Sequence, residues 1–144
     1  MSASREDILN ALLAALATTA AFKLVSRRDR APESVGMAQS PALFIVEPGE
    51  DYKRPSPSMP PERVLNVEAI FYNDVGEDQN AIPLTDVNNA LDALDLALRP
   101  TSPSNFFTLG GLAYAVWIDG KVRKSTGAKT GKAGAIVPIS ILLP

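Results

Sequence analysis

The residues whose types and spacing come nearest to a chemical motif are the glycines and lysines of residues 127–133, Gly-Ala-Lys-Thr-Gly-Lys-Ala. A P-loop, which cradles nucleotide phosphates, has four residues between its glycines and a Ser or Thr after its lysine. This segment has three residues between Gly127 and Gly131, and Ala133 follows Lys132. A P-loop also opens a helix whose N-terminal amides contact the phosphate, whereas a strand is predicted after this segment. We therefore do not expect nucleotide hydrolysis.

The same region contains basic residues that suit a weaker kind of phosphate binding. Gly131 and Gly134 match the four-residue glycine loop of an RNA-binding fold, but that loop joins two helices, and none is predicted here. Nonspecific contact with phosphates needs only clustered cations. Four of them lie close in sequence: Arg123, Lys124, Lys129 and Lys132. Aromatic residues for base stacking are scarce nearby, so a binding role and a flexible, solvated basic loop at 121–134 both stay open.

The chain contains no His and no Cys. This excludes Ser-His-Asp and Cys-His nucleophilic catalysis, zinc held by imidazole or thiolate, and disulfides. The acids Asp74, Glu77 and Asp78 do not have the spacing of a calcium loop. Asp92 and Asp95 are interpreted as solvating groups on the polar face of a helix. We predict a protein that is not an enzyme and that uses no cofactor and no metal.

Acidic and basic residues are segregated along the chain, although the formal net charge is only -2. Residues 64–98 contain seven acids and no Lys or Arg, and residues 120–144 contain five bases and no acid. The acids are Glu68, Asp74, Glu77, Asp78, Asp86, Asp92 and Asp95, and the bases are Lys121, Arg123, Lys124, Lys129 and Lys132. Such asymmetry indicates surfaces that face different partners, or copies that meet head to tail. Two solvated patches without a partner are the alternative.

The uncharged stretch 8–22 is rich in Ala and Leu, which raises the question of a signal peptide. The residues before it do not form a positive n-region, because Arg5 is outweighed by Glu6 and Asp7. At fifteen residues the stretch is also too short to span a bilayer, which needs about 20. We interpret it as a core helix of a cytosolic protein that has no membrane partner.

Hydrophobic periodicity and turn residues predict the order helix, three strands, helix, two strands. Ser4 is expected to cap a first helix from Arg5 to about Thr18, and Thr85 to cap a second helix that ends at Leu98. Strands are predicted at 22–27, from Pro41 to the turn at Pro48-Gly49, at 63–73, at 112–118 and at 135–143. Four prolines predict an extended surface loop at 50–61.

Two further expectations concern the last strands. Asp119-Gly120 is a pair that favours a type I′ hairpin, so Trp117-Ile118 is expected to pair with Lys121-Val122. Pro138 has no N–H, which places the last strand at a sheet edge or leaves this residue facing away from a ladder.

One core suffices for 144 residues with 46% hydrophobic content, so a single domain over residues 1–144 is expected. We predict an α+β fold, in which a mixed or mainly antiparallel sheet of four to five strands carries two helices packed on one face.

The order and character of these segments resemble the tail terminator, or tail completion, proteins of long-tailed bacteriophages, the family that includes the lambda minor tail protein U. The resemblance covers most of the chain and rests on six segments. They are the capped helix 5–16, the strand 22–27, the Pro-Ala-Leu-Phe-Ile strand entry at 41–45, the long strand 63–72, the helix 85–98 and the closing strand 136–141.

This resemblance implies a structural subunit that forms a ring, expected to be a hexamer. The ring would cap the tail tube protein, end its polymerisation and join the tail to the head-tail connector or stopper protein. The protein would lie in the tail or neck of the virion, after assembly in the host cytoplasm. The basic residues Arg123, Lys124, Lys129 and Lys132 would contact a partner or line a lumen through which DNA passes. The alternatives are a neck or head-completion protein and a small nucleic-acid-binding module.

Overall fold

The fold is an α+β domain, as predicted. The computed structural model describes residues 4–19, 22–28, 35, 39–74, 82–100, 107–127 and 131–144. They form two helices and six strands in the order α1 (Arg5–Ala17), β1 (Leu24–Ser26), β2 (Ala42–Lys53), β3 (Glu62–Asp74), α2 (Pro83–Ala97), β4 (Ala115–Ile118), β5 (Arg123–Ser125) and β6 (Lys132–Leu142). The sheet order is β1-β2-β3-β6-β4, with β5 paired to β6. β1 is parallel to β2, and the other pairs of described strands are antiparallel.

Both helices pack on the same face of the sheet. Their buried residues form one cluster with alternate residues of the central strands. The helices contribute Ile8, Leu9, Leu12, Leu16, Val87 and Leu94. Because successive strand residues point to opposite faces, the intervening residues lie on the second face. There the buried residues Val35, Ala42, Phe44 and Ile70 form a smaller cluster.

The first helix confirms its predicted start. The Asp7 backbone N–H donates to Ser4 Oγ and the Ser4 N–H donates to Asp7 Oδ2, each over 3.1 Å. This reciprocal capping box satisfies two donors that a helix start would otherwise leave unpaired.

The predicted cap of the second helix is wrong. α2 begins at Pro83, its N-cap is Ile82, and no side chain among the described residues caps it. Thr85 lies inside the first turn, where its N–H donates to the Ile82 carbonyl. Proline favours this first helical position because its φ is already helical and its missing N–H would have no partner there.

The second strand is longer than predicted. β2 does not end at Pro48-Gly49 but continues to Lys53, and its pairing with β3 shifts register between Val46 and Gly49. Such a bulge accommodates a proline because the ladder is already interrupted there. The proline-rich loop is therefore shorter than the predicted 50–61 and spans residues 54–61.

The expected hairpin at Asp119-Gly120 is not formed. β4 and β5 do not pair with each other, because both pair with β6 and follow one another along the same side of it. The sheet therefore has six strands rather than four or five, and residues 123–125 and 132–134 of the predicted basic loop belong to strands. β4 is also shorter than the predicted 112–118, since a turn with positive φ at Leu109, Gly110 and Gly111 precedes it.

Pro138 does not mark a sheet edge, because β6 has β3 on one side and β4 and β5 on the other. Its carbonyl accepts a hydrogen bond from the Asp119 N–H over 3.0 Å. A regular antiparallel pair would return a second bond, which proline cannot donate. The other expectation, that Pro138 faces away from a ladder, describes the structure better. Pro138 lies between the residues of β6 that pair with β4 and those that pair with β5.

Two arginines hold α1 against β2. The Arg5 guanidinium donates to the Glu50 carboxylate and, over 2.7 Å, to the Tyr52 hydroxyl. Arg27 binds Glu6 of the helix and Glu47 of β2. Hydrogen bonds from Arg5 lower the pKa of Glu50 below the ordinary glutamate value, and those from Arg27 lower the pKa of Glu6. Both contacts therefore stabilise the fold only while the carboxylates are charged.

We expect Glu50→Gln to make the protein less sensitive to acid. Because the folded-state pKa of Glu50 is depressed, its contribution is fully present above the pKa of the unfolded chain and is lost as the pH falls through the folded value. The difference in Tm between pH 7 and pH 3 should shrink by about 1 to 4 °C in the variant, a range discounted for solvent screening. Asp92→Asn, which alters an exposed acid outside the described ion pairs, is the control. An unchanged pH dependence in Glu50→Gln would contradict the Arg5 contact.

Candidate interaction surfaces

Three of the four predicted basic residues line a shallow groove beside β5. Arg123 and Lys124 lie on β5 and Lys132 begins β6, while Lys129 lies outside the described residues. Together with Tyr72 and Ser125, these three residues line a hollow of about 300 Å³. Pairing of β5 with β6 brings them together, since Arg123 lies opposite Ile136 and Ser125 opposite Gly134.

Each described cation of this groove is engaged by the chain itself. Arg123 Nη2 lies 3.0 Å from Glu68 Oε2, and Lys132 Nζ lies 3.1 Å from Asp74 Oδ1. Lys124 Nζ donates to Asn88 Oδ1 of α2 over 2.8 Å. A bound phosphate would compete with two protein carboxylates for these cations, which weakens any purely electrostatic attraction.

These contacts account for part of the charge segregation seen in the sequence. Glu68 and Asp74 lie on β3, which pairs with β6 along residues 64–74. The acids of the middle of the chain therefore lie beside bases of its C-terminal part, although they are far apart in sequence. Among these residues the opposite charges meet within one copy of the chain rather than on separate faces.

A second surface is apolar and lies at the end of the sheet formed by the β2–β3 hairpin and the start of β4. It carries large exposed side chains: Tyr52 (60% exposed), Met59 (51%), Tyr114 (63%) and Trp117 (37%). Tyr114, Ala115, Trp117 and Leu142 line a hollow of about 600 Å³. We call the six residues Tyr52, Met59, Tyr114, Ala115, Trp117 and Leu142 the Trp117 surface.

Strand alternation explains why Trp117 is exposed. Val116 and Ile118 point to the helices and join the core, so Ala115 and Trp117 lie on the face without helices. The register places Ala115 opposite Leu142, which completes the apolar hollow. The alternation is visible in the sequence. That this face is left uncovered at Trp117 by the described segments is seen only in the structure.

The acidic residues considered for a cation site do not gather. Asp74 pairs with Lys132, Asp95 pairs with Arg99, and Glu77 and Asp78 lie outside the described residues. In the part of the chain that the structure describes, no three acidic side chains lie close enough to hold a metal ion. Asp86 instead accepts a hydrogen bond from Asn73 at the rim of a hollow of about 340 Å³ beside α2.

Comparisons with known proteins do not assign this chain to a family. No protein-family model matches the sequence, and no curated protein matches it. Neither described helix is long and apolar enough to cross a membrane. The functional argument therefore rests on the arrangement of elements and on the exposed residues.

Proposed function

We propose that this chain is a structural subunit of a bacteriophage tail, which forms a ring on the end of the tail tube, stops tube growth and joins the tail to the head connector. The ring is proposed to be a hexamer. In this proposed role the protein lies in the tail or neck of the virion, and the role requires neither catalysis nor a cofactor.

The observation that carries the proposal is the arrangement of the six segments on which the resemblance rests. Each of the six segments coincides with an element of the predicted type. Residues 5–16 lie in α1, 22–27 contain β1, 41–45 include the start of β2, 63–72 lie in β3, 85–98 lie in α2 except for its C-cap Leu98, and 136–141 lie in β6. The two helices share one face of the sheet. The fold alone does not determine a function, so the exposed surfaces supply the second support.

The Trp117 surface supports a role in assembly. Tyr, Trp and Met are enriched at protein interfaces, where their large side chains bury much area. Trp117 lies on β4 and Tyr114 directly precedes this strand, and both aromatic side chains are exposed. By contrast, the basic groove has its described cations bound to Glu68, Asn88 and Asp74. The structure thus supports protein contacts more than nucleic acid binding.

The proposal predicts that the chain caps tail tubes. Purified protein mixed with the tail tube protein of the same phage should give tubes with a ring at one end in negative-stain electron microscopy. Native mass spectrometry of the ring should give six times the 15.3 kDa of one chain. Tubes assembled without the chain provide the control and should lack rings and be less uniform in length.

A chain that ignores the tube protein would contradict this function. Binding to the portal side of the head instead would identify a neck or head-completion protein. Binding to DNA that falls steeply with salt and is lost when Arg123, Lys124, Lys129 and Lys132 become Ser would identify the nucleic-acid-binding alternative.

A further inference from the structure

We propose that Asp119 is a modification site, at which the side chain reacts with the Gly120 backbone nitrogen to give isoaspartate, and that Ser140 restrains this reaction in the folded protein. The inference concerns the covalent chemistry of a single chain. It therefore goes beyond the proposed ring and does not depend on it.

Asp119 is the single Asp or Asn of the chain that is followed by glycine. Glycine has no Cβ, so its backbone can approach a neighbouring group more closely than that of any other residue. Gly120 has a φ of 110°, in the left-handed region that residues with a side chain rarely adopt. Both residues are exposed and lie between the end of β4 and the start of β5. The dipeptide therefore has the residue types and the access to water that the reaction needs.

The reaction needs no molecule other than water. In the acid form of the Asp119 carboxyl group, the Gly120 nitrogen bonds to Cγ and gives up its proton, while the bond from Cγ to the hydroxyl oxygen breaks. The proton and the hydroxyl leave together as water, and a five-membered imide remains. Water then adds to one of the two carbonyl carbons of the imide and opens the ring. Opening at the side-chain carbonyl restores aspartate, and opening at the backbone carbonyl gives isoaspartate, in which the chain continues through Cγ.

The attacking nitrogen is not held by the described part of the fold. Among the described residues, none accepts a hydrogen bond from the Gly120 N–H. The Asp119 N–H, by contrast, donates to the Pro138 carbonyl over 3.0 Å. Gly120 belongs to neither ladder, because β4 ends at Ile118 and β5 begins at Arg123. The nitrogen can therefore attack without first breaking a hydrogen bond to another described residue.

The carboxyl group that the nitrogen attacks is held by one hydrogen bond. Ser140 Oγ donates to Asp119 Oδ2 over 3.0 Å, and Ser140 is buried on β6 at 5% exposure. In the described part of the chain no cation forms an ion pair with Asp119. The Asp119 side chain must rotate to bring Cγ to the Gly120 nitrogen, and a bond to a fixed, buried hydroxyl opposes that rotation. Ser140 is thus a positioning residue that slows the reaction.

The test follows isoaspartate in the whole chain, kept folded in neutral buffer. An isoaspartyl methyltransferase labels the free carboxylate of isoaspartate, and a protease that cleaves before Asp stops cleaving at residue 119 once isoaspartate has formed. The wild type should slowly gain label at this residue without a change in mass. Ser140→Ala should gain it about fivefold faster, which corresponds to the loss of one hydrogen bond of about 1 kcal/mol.

Two control variants separate the hydroxyl from other effects of substitution. Ser140→Thr keeps a hydroxyl at this position and should react as slowly as the wild type. Ser58→Ala removes a hydroxyl that is bonded to Ser56 in the loop 54–61, far along the chain, and should also leave the rate unchanged. Circular dichroism checks that each variant is folded.

The unfolded chain separates the site from its restraint. In urea the wild type and Ser140→Ala should gain label at one rate, faster than the folded wild type, because the Ser140 bond exists only in the folded state. Asp119→Glu, which would have to form a six-membered ring, should gain none at this residue. An unfolded wild type without label at residue 119 would overturn the modification site. A folded wild type that reacts as fast as the unfolded chain or as folded Ser140→Ala would overturn the restraint. Rings on tail tubes are scored separately, so either proposal can fail without the other.

Discussion

Gly134→Ala is expected to lower the free energy of unfolding by about 3 kcal/mol, at the upper end of the cost of adding a methyl group to a packed core. A Cβ at this position would lie 2.3 Å from the Phe71 carbonyl oxygen and 3.0 Å from Tyr72 Cδ1. The first of these atoms is backbone of β3, a strand paired on both sides with β2 and β6. It cannot withdraw without breaking those ladders, so the strain remains in the folded state.

Urea denaturation followed by circular dichroism measures the change in the free energy of unfolding. In a thermal melt the Tm should fall by about 10 °C. Gly49→Ala is the matched control, because a Cβ there meets no atom within 4 Å. Its stability should change by less than about 1 kcal/mol. If Gly134→Ala were as stable as the control, β3 and β6 would not have the register in which Tyr72 faces Gly134.

Leu94→Ala is expected to cost about 2 to 5 kcal/mol, the range measured for removing a buried leucine side chain. Leu94 is 1% exposed and belongs to the main core, on the side of α2 that packs against β6 and β3. The substitution leaves a cavity between the helix and the sheet. The spread of the expected cost reflects how far the neighbouring side chains can close that cavity.

Leu96→Ala provides a close control, since the same substitution falls two residues away on the same helix at a side chain that is 67% exposed. Helix propensity changes equally in both variants, so their difference isolates burial. The control should change stability by less than about 0.5 kcal/mol. Equal melting curves for the two variants would show that α2 does not present Leu94 to the sheet.

Features that depend on neighbouring residues along the chain were predictable. Ser4 was expected to cap the first helix, and α1 begins directly after it. The alternation of Leu65, Val67, Ala69 and Phe71 also predicted the central strand and its helix-facing side. Local periodicity was sufficient to predict the helices and strands, and their order predicted the α+β fold class.

Features that depend on a partner strand were not predictable. Pro48-Gly49 and Asp119-Gly120 both resemble strand ends, yet β2 continues through the first as a bulge and the second separates two strands that share β6. In both places the neighbouring strand supplies hydrogen bonds that local turn preference does not include.

The sequence by itself determined an α+β domain with a capped first helix, an apolar core and oppositely charged segments. Tertiary structure alone decided that Glu68 and Asp74 bind Arg123 and Lys132 within the chain, and that Trp117 is exposed on a face that no described segment covers at this position. The reason is physical: periodicity describes which residues share a face. The pairing of strands distant in sequence sets which charges meet and which apolar side chains stay in contact with solvent.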